Sequence, residues 1–244
     1  MFGKLFGKKG DATDGPARKA VVPDDTIEKA RASNPVAPLK IGAEELVERL
    51  VAGMKTERGV HVESLLAALG SLAGFCCVDS ALKQAAALGR SSRECGIVDV
   101  EMADGTRYYL GNPINHLLGE SELSLWSLVA GMVNHLGSQD YPDFGDIAAH
   151  VAGTLGKPEF GIPRVPEAHR PGDLPINYVR HLWPHVLPLV ERRAPLLHER
   201  VTLFGFGAQN VMQMGKDVIP PAVAGKLVME CSVPMSKLDP ATLW

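Results

Sequence analysis

The chain lacks most of the features that announce a function. Aromatic residues make up only 6% of it, so its core must be built from Leu, Val, Ala and Met, which pack readily on helices. Its four cysteines, Cys76, Cys77, Cys95 and Cys231, show no C-x-x-C spacing, and a chain of 244 residues needs no disulfide framework to fold. Reduced thiols in a cytoplasm are therefore the expectation. There is no excess of one charge: the formal net charge is -3 and the pI about 6.2. Without a broad positive field, nucleic acid is not an expected partner.

The first ten residues set Phe2, Leu5 and Phe6 among Lys4, Lys8 and Lys9, without the apolar stretch or cleavage site of a secretory signal. Three lysines and three apolar residues give only marginal affinity for an anionic membrane, so this segment reads as a disordered tail and no membrane partner is expected. The longest uncharged stretch near the middle, Ser64 to Val78, falls short of the roughly 20 apolar residues that cross a bilayer. It reads as a buried helix.

Complete catalytic signatures are missing too. There is no G-x-S-x-G and no Walker A pattern, and Gly205-Phe206-Gly207 is not followed by the third glycine of a dinucleotide fingerprint. His61-Val62-Glu63 matches the H-x-E half of the zinc-deaminase signature, but the second half, P-C-x-x-C, is absent. Cys76 and Cys77 are adjacent, and adjacent helical side chains diverge by about 100°, which suits one ion poorly. His181 and His185 have the i, i+4 spacing of H-E-x-x-H, yet Leu182, Trp183 and Pro184 stand between them and the general-base Glu is missing. No cofactor is implied, and His181 and His185 remain weak metal candidates only.

What is present is helical patterning. With 45% hydrophobic and 22% charged residues the composition excludes wholesale disorder. Residues 1–40, rich in Lys, Asp, Ala, Gly and Pro, read as a mobile leader with one short helix from Asp25 to Ala32. Residues 41–244 read as a single helical domain. From Gly42 to Lys55 the apolar residues Leu46, Val47, Leu50, Val51 and Met54 recur at helical spacing. Val62 to about Leu88 carries a denser pattern studded with Ala67, Ala68, Gly70, Ala73 and Gly74, which lets a neighbouring backbone come close, so this segment is the expected central element.

The one β signal follows, where residues 97–102 and 106–110 flank Asp104-Gly105, a pair suited to a tight hairpin turn. Asn112-Pro113 then reads as a cap and first helical position. Further helices are expected over 123–136 and 143–155. Residues 156–174 hold too many prolines and glycines for a regular element and form a long loop, a candidate seam, lid or contact surface.

Helix returns at Pro175 to Arg193, where Pro184 and Pro188 should kink or divide it. It returns again along Leu197, Val201, Phe204, Ala208 and Val211, and from Pro220-Pro221 to Cys231. Val233 to Trp244 reads as a tail. Arg180, Arg192, Arg193 and Arg200, with Glu191 and Glu199, read as a mixed-charge set that is either a solvated face or a protein interface.

The sequence thus predicts a mainly α fold, an irregular bundle of about seven or eight helices with one β-hairpin near 97–110. For function it points to a binding or protein-interaction module, partnered by a protein or a small-molecule ligand and able to form a homo-oligomer. The alternative is an enzyme whose site is assembled from scattered residues, drawn from His61, Glu63, Tyr109, Asn112, His116, His181 and His185.

Overall fold

A computed structural model of the chain describes residues 24–243. Helix α1 (Asp24–Ser33) leads into α2 (Ala37–Met54), and α3 (Val62–Ala87) follows as the axis of the molecule. A hairpin of β1 (Ile97–Glu101) and β2 (Arg107–Gly111) interrupts the helices. Then come the short α4 (Asn112–Asn115), which runs on into a wide turn at His116–Glu120, α5 (Leu125–His135) and α6 (Phe144–Thr154). The last three are α7 (Pro175–Arg193), α8 (Arg200–Met214) and α9 (Pro221–Met235). The described residues therefore form a mainly helical body of eight longer helices with one antiparallel hairpin, as the sequence predicts.

The axis forms because α3 has no polar side to turn outward. From Glu63 to Ala81 every residue is buried, and α7, α8 and α9 pack against it. It is the one described helix long and apolar enough to cross a membrane, yet 94% of its most apolar window is buried inside the protein. Gly70 and Gly74 explain the closest of these contacts. A Cβ on either would collide with a carbonyl oxygen of α9, that of Val228 or that of Ser232. Two glycines one turn apart on α3 thus let two backbones touch, which buries both helices completely at the crossing. Beside it, Phe75 meets Trp183 edge-on with ring centroids 5.0 Å apart, and Trp183 stacks on Phe204 at 6.2 Å, tying α3, α7 and α8 together.

The helix starts follow local chemistry. Ser124 accepts from the Ser127 N–H at the head of α5, and Asp143 from the Asp146 N–H at the head of α6. In the hairpin, Val100 pairs with Tyr108, and Gly105 takes a φ of 82° in the turn, a conformation glycine reaches without cost.

Several boundaries differ from the sequence reading. α2 begins at Ala37, a turn before Gly42, because Pro38 suits the first helical turn. Asn112 is not a cap: Gly111 precedes the helix and Asn112 is its first residue, with no capping bond from its side chain. α7 is neither ended nor divided at its prolines. Arg180, Pro184 and Pro188 form one exposed stripe, so the carbonyls that lose a helical N–H partner face water. α9 runs on to Met235 through Pro234.

Beyond α9, Lys237, Leu238 and Asp239 are buried, and Leu238 bridges to Tyr108 of β2. Trp244, the residue expected to pin this tail, lies outside the described residues, as do residues 1–23. Within the expected leader, Ile27 is buried and Arg31 pairs with Glu199 at 3.0 Å.

The arginine-rich set is not a solvated face throughout. Arg193 is 1% exposed and donates through Nε and Nη2 to Glu45 at 3.1 and 2.6 Å. Arg200 is also buried and donates to the Ala194 carbonyl. These charges join α2, α7 and α8 from within, where a planar guanidinium can satisfy several acceptors at once.

Candidate functional site

The two ends of α3 hold the chemistry. At its N-terminal end Glu63 is only 4% exposed, a position a carboxylate tolerates when hydrogen-bonded. His169 Nδ1 lies 2.9 Å from its Oε1, and His61 Nε2 lies 3.2 Å from its Oε2. His61 Nδ1 is 2.8 Å from the Ser64 hydroxyl, which also accepts from the Gly172 N–H at 2.9 Å and shares a hydrogen bond with Tyr178. Burial pushes the Tyr178 phenol up to about 12, so it keeps its proton. His61 bridges Ser64 and Glu63 through its two ring nitrogens. One closed chain of hydrogen bonds runs from Tyr178 to Glu63.

This chain fastens the long loop. His169 and Gly172 belong to residues 156–174, and a second anchor comes from Arg164, which reaches buried Glu230 at 2.9 Å and Asp146 at 2.8 Å. Phe160 lies edge-on to Tyr108 at 5.0 Å. The loop is a strap that runs from Tyr108 past Glu230 to the N-terminal end of α3.

At the C-terminal end of α3 the arrangement is the opposite. A cavity of about 460 Å³ opens between that end, the turn Arg93–Cys95, the start of α4 and residues 197–198. Ala81, Ala85, Leu88, Leu117 and Leu197 line it, and Leu88 is 56% exposed. Arg90, Glu94, Cys95, His116 and His198 also line it. Glu94 is engaged: its Oε2 accepts from the Ser91 hydroxyl at 2.6 Å and the Ser91 N–H at 2.8 Å, which holds its carboxyl below the ordinary value. The side chains of Arg90, His116 and His198 make no hydrogen bond or ion pair among the described residues. The volume lies within the range of small-molecule sites, about 300–1,000 Å³.

A buried cation stands nearby. Lys237 is 6% exposed and its ammonium donates to Asn115 Oδ1 at 3.3 Å, with Cys77 as its other near titratable neighbour. Burial lowers its pKa to about 8. Burial also raises the Cys76 thiol to about 12 and lifts Cys77 and Cys231 above their usual range, so these sulfurs stay protonated and inert. Cys95 alone of the four is partly exposed.

The residues singled out from the sequence therefore fall in separate places. His61 and Glu63 meet each other, and His116 lines the cavity. Tyr109 sits on β2, its N–H donating to the Lys237 carbonyl at 2.7 Å. Asn112 is exposed at the head of α4, and His181 and His185 are exposed on the outer stripe of α7. Among the described residues no group of three or more His, Cys, Asp and Glu is arranged to hold a metal ion.

Sequence reasoning passes over Ser64, Tyr178, Arg90 and Lys237, and reads His169 and His198 as isolated histidines. Only Ser64 carried a signal, its place three residues after His61. Comparison of the chain with protein-family models, with curated proteins and with solved structures finds no match.

Proposed function

We propose that this protein is a binding protein that takes a small molecule into the cavity at the C-terminal end of α3. The observation that supports it most is the combination of an apolar wall with three polar side chains that have no partner among the described residues. Leu88 stands exposed there beside Arg90, His116 and His198. Sites for small molecules are built in this way, apolar for affinity with a few polar groups for orientation.

The competing reading, an enzyme acting through His61 and Glu63, has one observation in its favour. Ser64, His61 and Glu63 stand in the order of nucleophile, base and orienting acid. Against it, Ser64 is buried at 8% exposure and its hydroxyl is already engaged by Gly172 and Tyr178. The cluster acts better as a clamp.

The test uses a neutral apolar dye, N-phenyl-1-naphthylamine. Its fluorescence should rise on titration into the folded protein and saturate at one site. Ala85→Trp, or Gln84→Trp at an exposed lining position, should abolish the rise while circular dichroism stays unchanged. Binding that ignores both substitutions would refute the cavity as the site.

A further inference from the structure

We propose that the ligand of this cavity is an amphiphile with an anionic head, its apolar chain along Ala81, Ala85 and Leu88 and its head toward Arg90, His116 and His198. The proposal rests on the cavity reading above and names the class of molecule.

The argument is one of unsatisfied groups. Arg90 carries a permanent charge and five N–H donors in a planar fork, and none has a partner among the described residues. His116 and His198 each offer at least one ring N–H whatever their protonation. Three donor-bearing side chains thus line the same space. The acceptor side is poorer, since Glu94 is the one carboxylate in the lining and its Oε2 is taken twice by Ser91.

A cationic head would meet the like charge of Arg90, and Glu94, the carboxylate that could pair with it, already has Oε2 taken twice by Ser91. A neutral alcohol would leave most of the donors unpaired as the chain excludes water. A carboxylate or phosphate monoester supplies acceptors to all three, and charge-assisted hydrogen bonds are the stronger kind. The exposed Leu88 and the alanines of α3 give such a head an apolar neighbour, because small side chains there leave room for a chain.

Four ligands of one chain length test this: decanoate, decyl phosphate, decanol and decylammonium, titrated below their micelle concentrations into the full chain by isothermal calorimetry. Decanoate or decyl phosphate should bind at least about tenfold more tightly than decanol, and decylammonium most weakly. Whichever anion leads identifies the source of the charge. The double variant Arg90→Gln, His198→Gln should bring the anion down to the affinity of decanol and leave decanol unchanged.

Gln84→Trp should weaken all four ligands. If decanol equals the anions in the wild type and Gln84→Trp still weakens it, the anionic class is wrong and the cavity remains a binding site. If none of the four binds, both proposals fall.

Discussion

The two ends of α3 were built from the same helix and finished in opposite ways. At the N-terminal end His61, Glu63 and Ser64 all have partners, and a strap of chain is fastened there through His169 and Gly172. At the C-terminal end polar groups stand unpaired around an apolar hollow. Buried polar groups without partners are costly, so the closed end repays its burial within the fold. The open end leaves Arg90, His116 and His198 exposed. Saturation marks the strapped end and the proposed binding site lies at the other, although the first has the more suggestive side chains.

Substitutions can break or sharpen that contrast, beginning with the joint between the ends. Gly74→Val sets a side chain against the Ser232 backbone and should cost about 3 kcal/mol or more in urea unfolding. A cost below about 1 kcal/mol would mean that α3 and α9 do not touch there.

Next is Lys237, next to the open end through Asn115. Its folded pKa of about 8 lies below the unfolded value of 10.5. The unfolded chain therefore holds more protons between these values, and this group's penalty is full below about pH 8 and fades as pH rises toward 10.5. Lys237→Met should be more stable than the wild type at pH 7, by up to roughly 3 kcal/mol. The gap should narrow between pH 8 and 10 in parallel urea titrations. A gap that is constant with pH would contradict the buried, partner-poor ammonium.

Two serines then compare the ends directly. Ser64→Ala strips an acceptor from Gly172 and a hydrogen-bond partner from Tyr178 and His61, and should cost about 2 kcal/mol, with faster proteolysis within 156–174. Ser80→Ala, whose hydroxyl has only a 3.7 Å contact with the Cys76 sulfur, should cost under about 0.5 kcal/mol by thermal denaturation. Smallest of all, Gln84→Trp should move stability by no more than about 0.5 kcal/mol while it closes the cavity.

Much of the fold was legible because burial of a helix writes itself as a periodic stripe. α3 was recognisable from Gly70, Gly74 and the alanines Ala67, Ala68 and Ala73 around them, and the hairpin from Asp104-Gly105. The prolines misled, since proline's cost depends on what its lost hydrogen bond faces. In α7 that is water, which no local pattern states. The buried tail was missed because Lys237 and Asp239 look like surface residues until β2 pairs with Leu238.

At the closed end His61 and Glu63 were readable as neighbours in sequence, but His169 lies 106 residues from Glu63, beyond any spacing rule. The cavity was the least legible feature. It is a space left between four segments, and only His116 among the residues chosen from the sequence lines it.

The contrast between the ends is tested most directly by titrating decanoate into isotopically labelled protein and mapping the amide shifts. The account predicts movement at residues 80–95, 113–117 and 197–198, and still signals at 61–64 and 169–178. Shifts gathered at His61, Ser64 and His169, with the cavity silent, would reverse the assignment of the two ends.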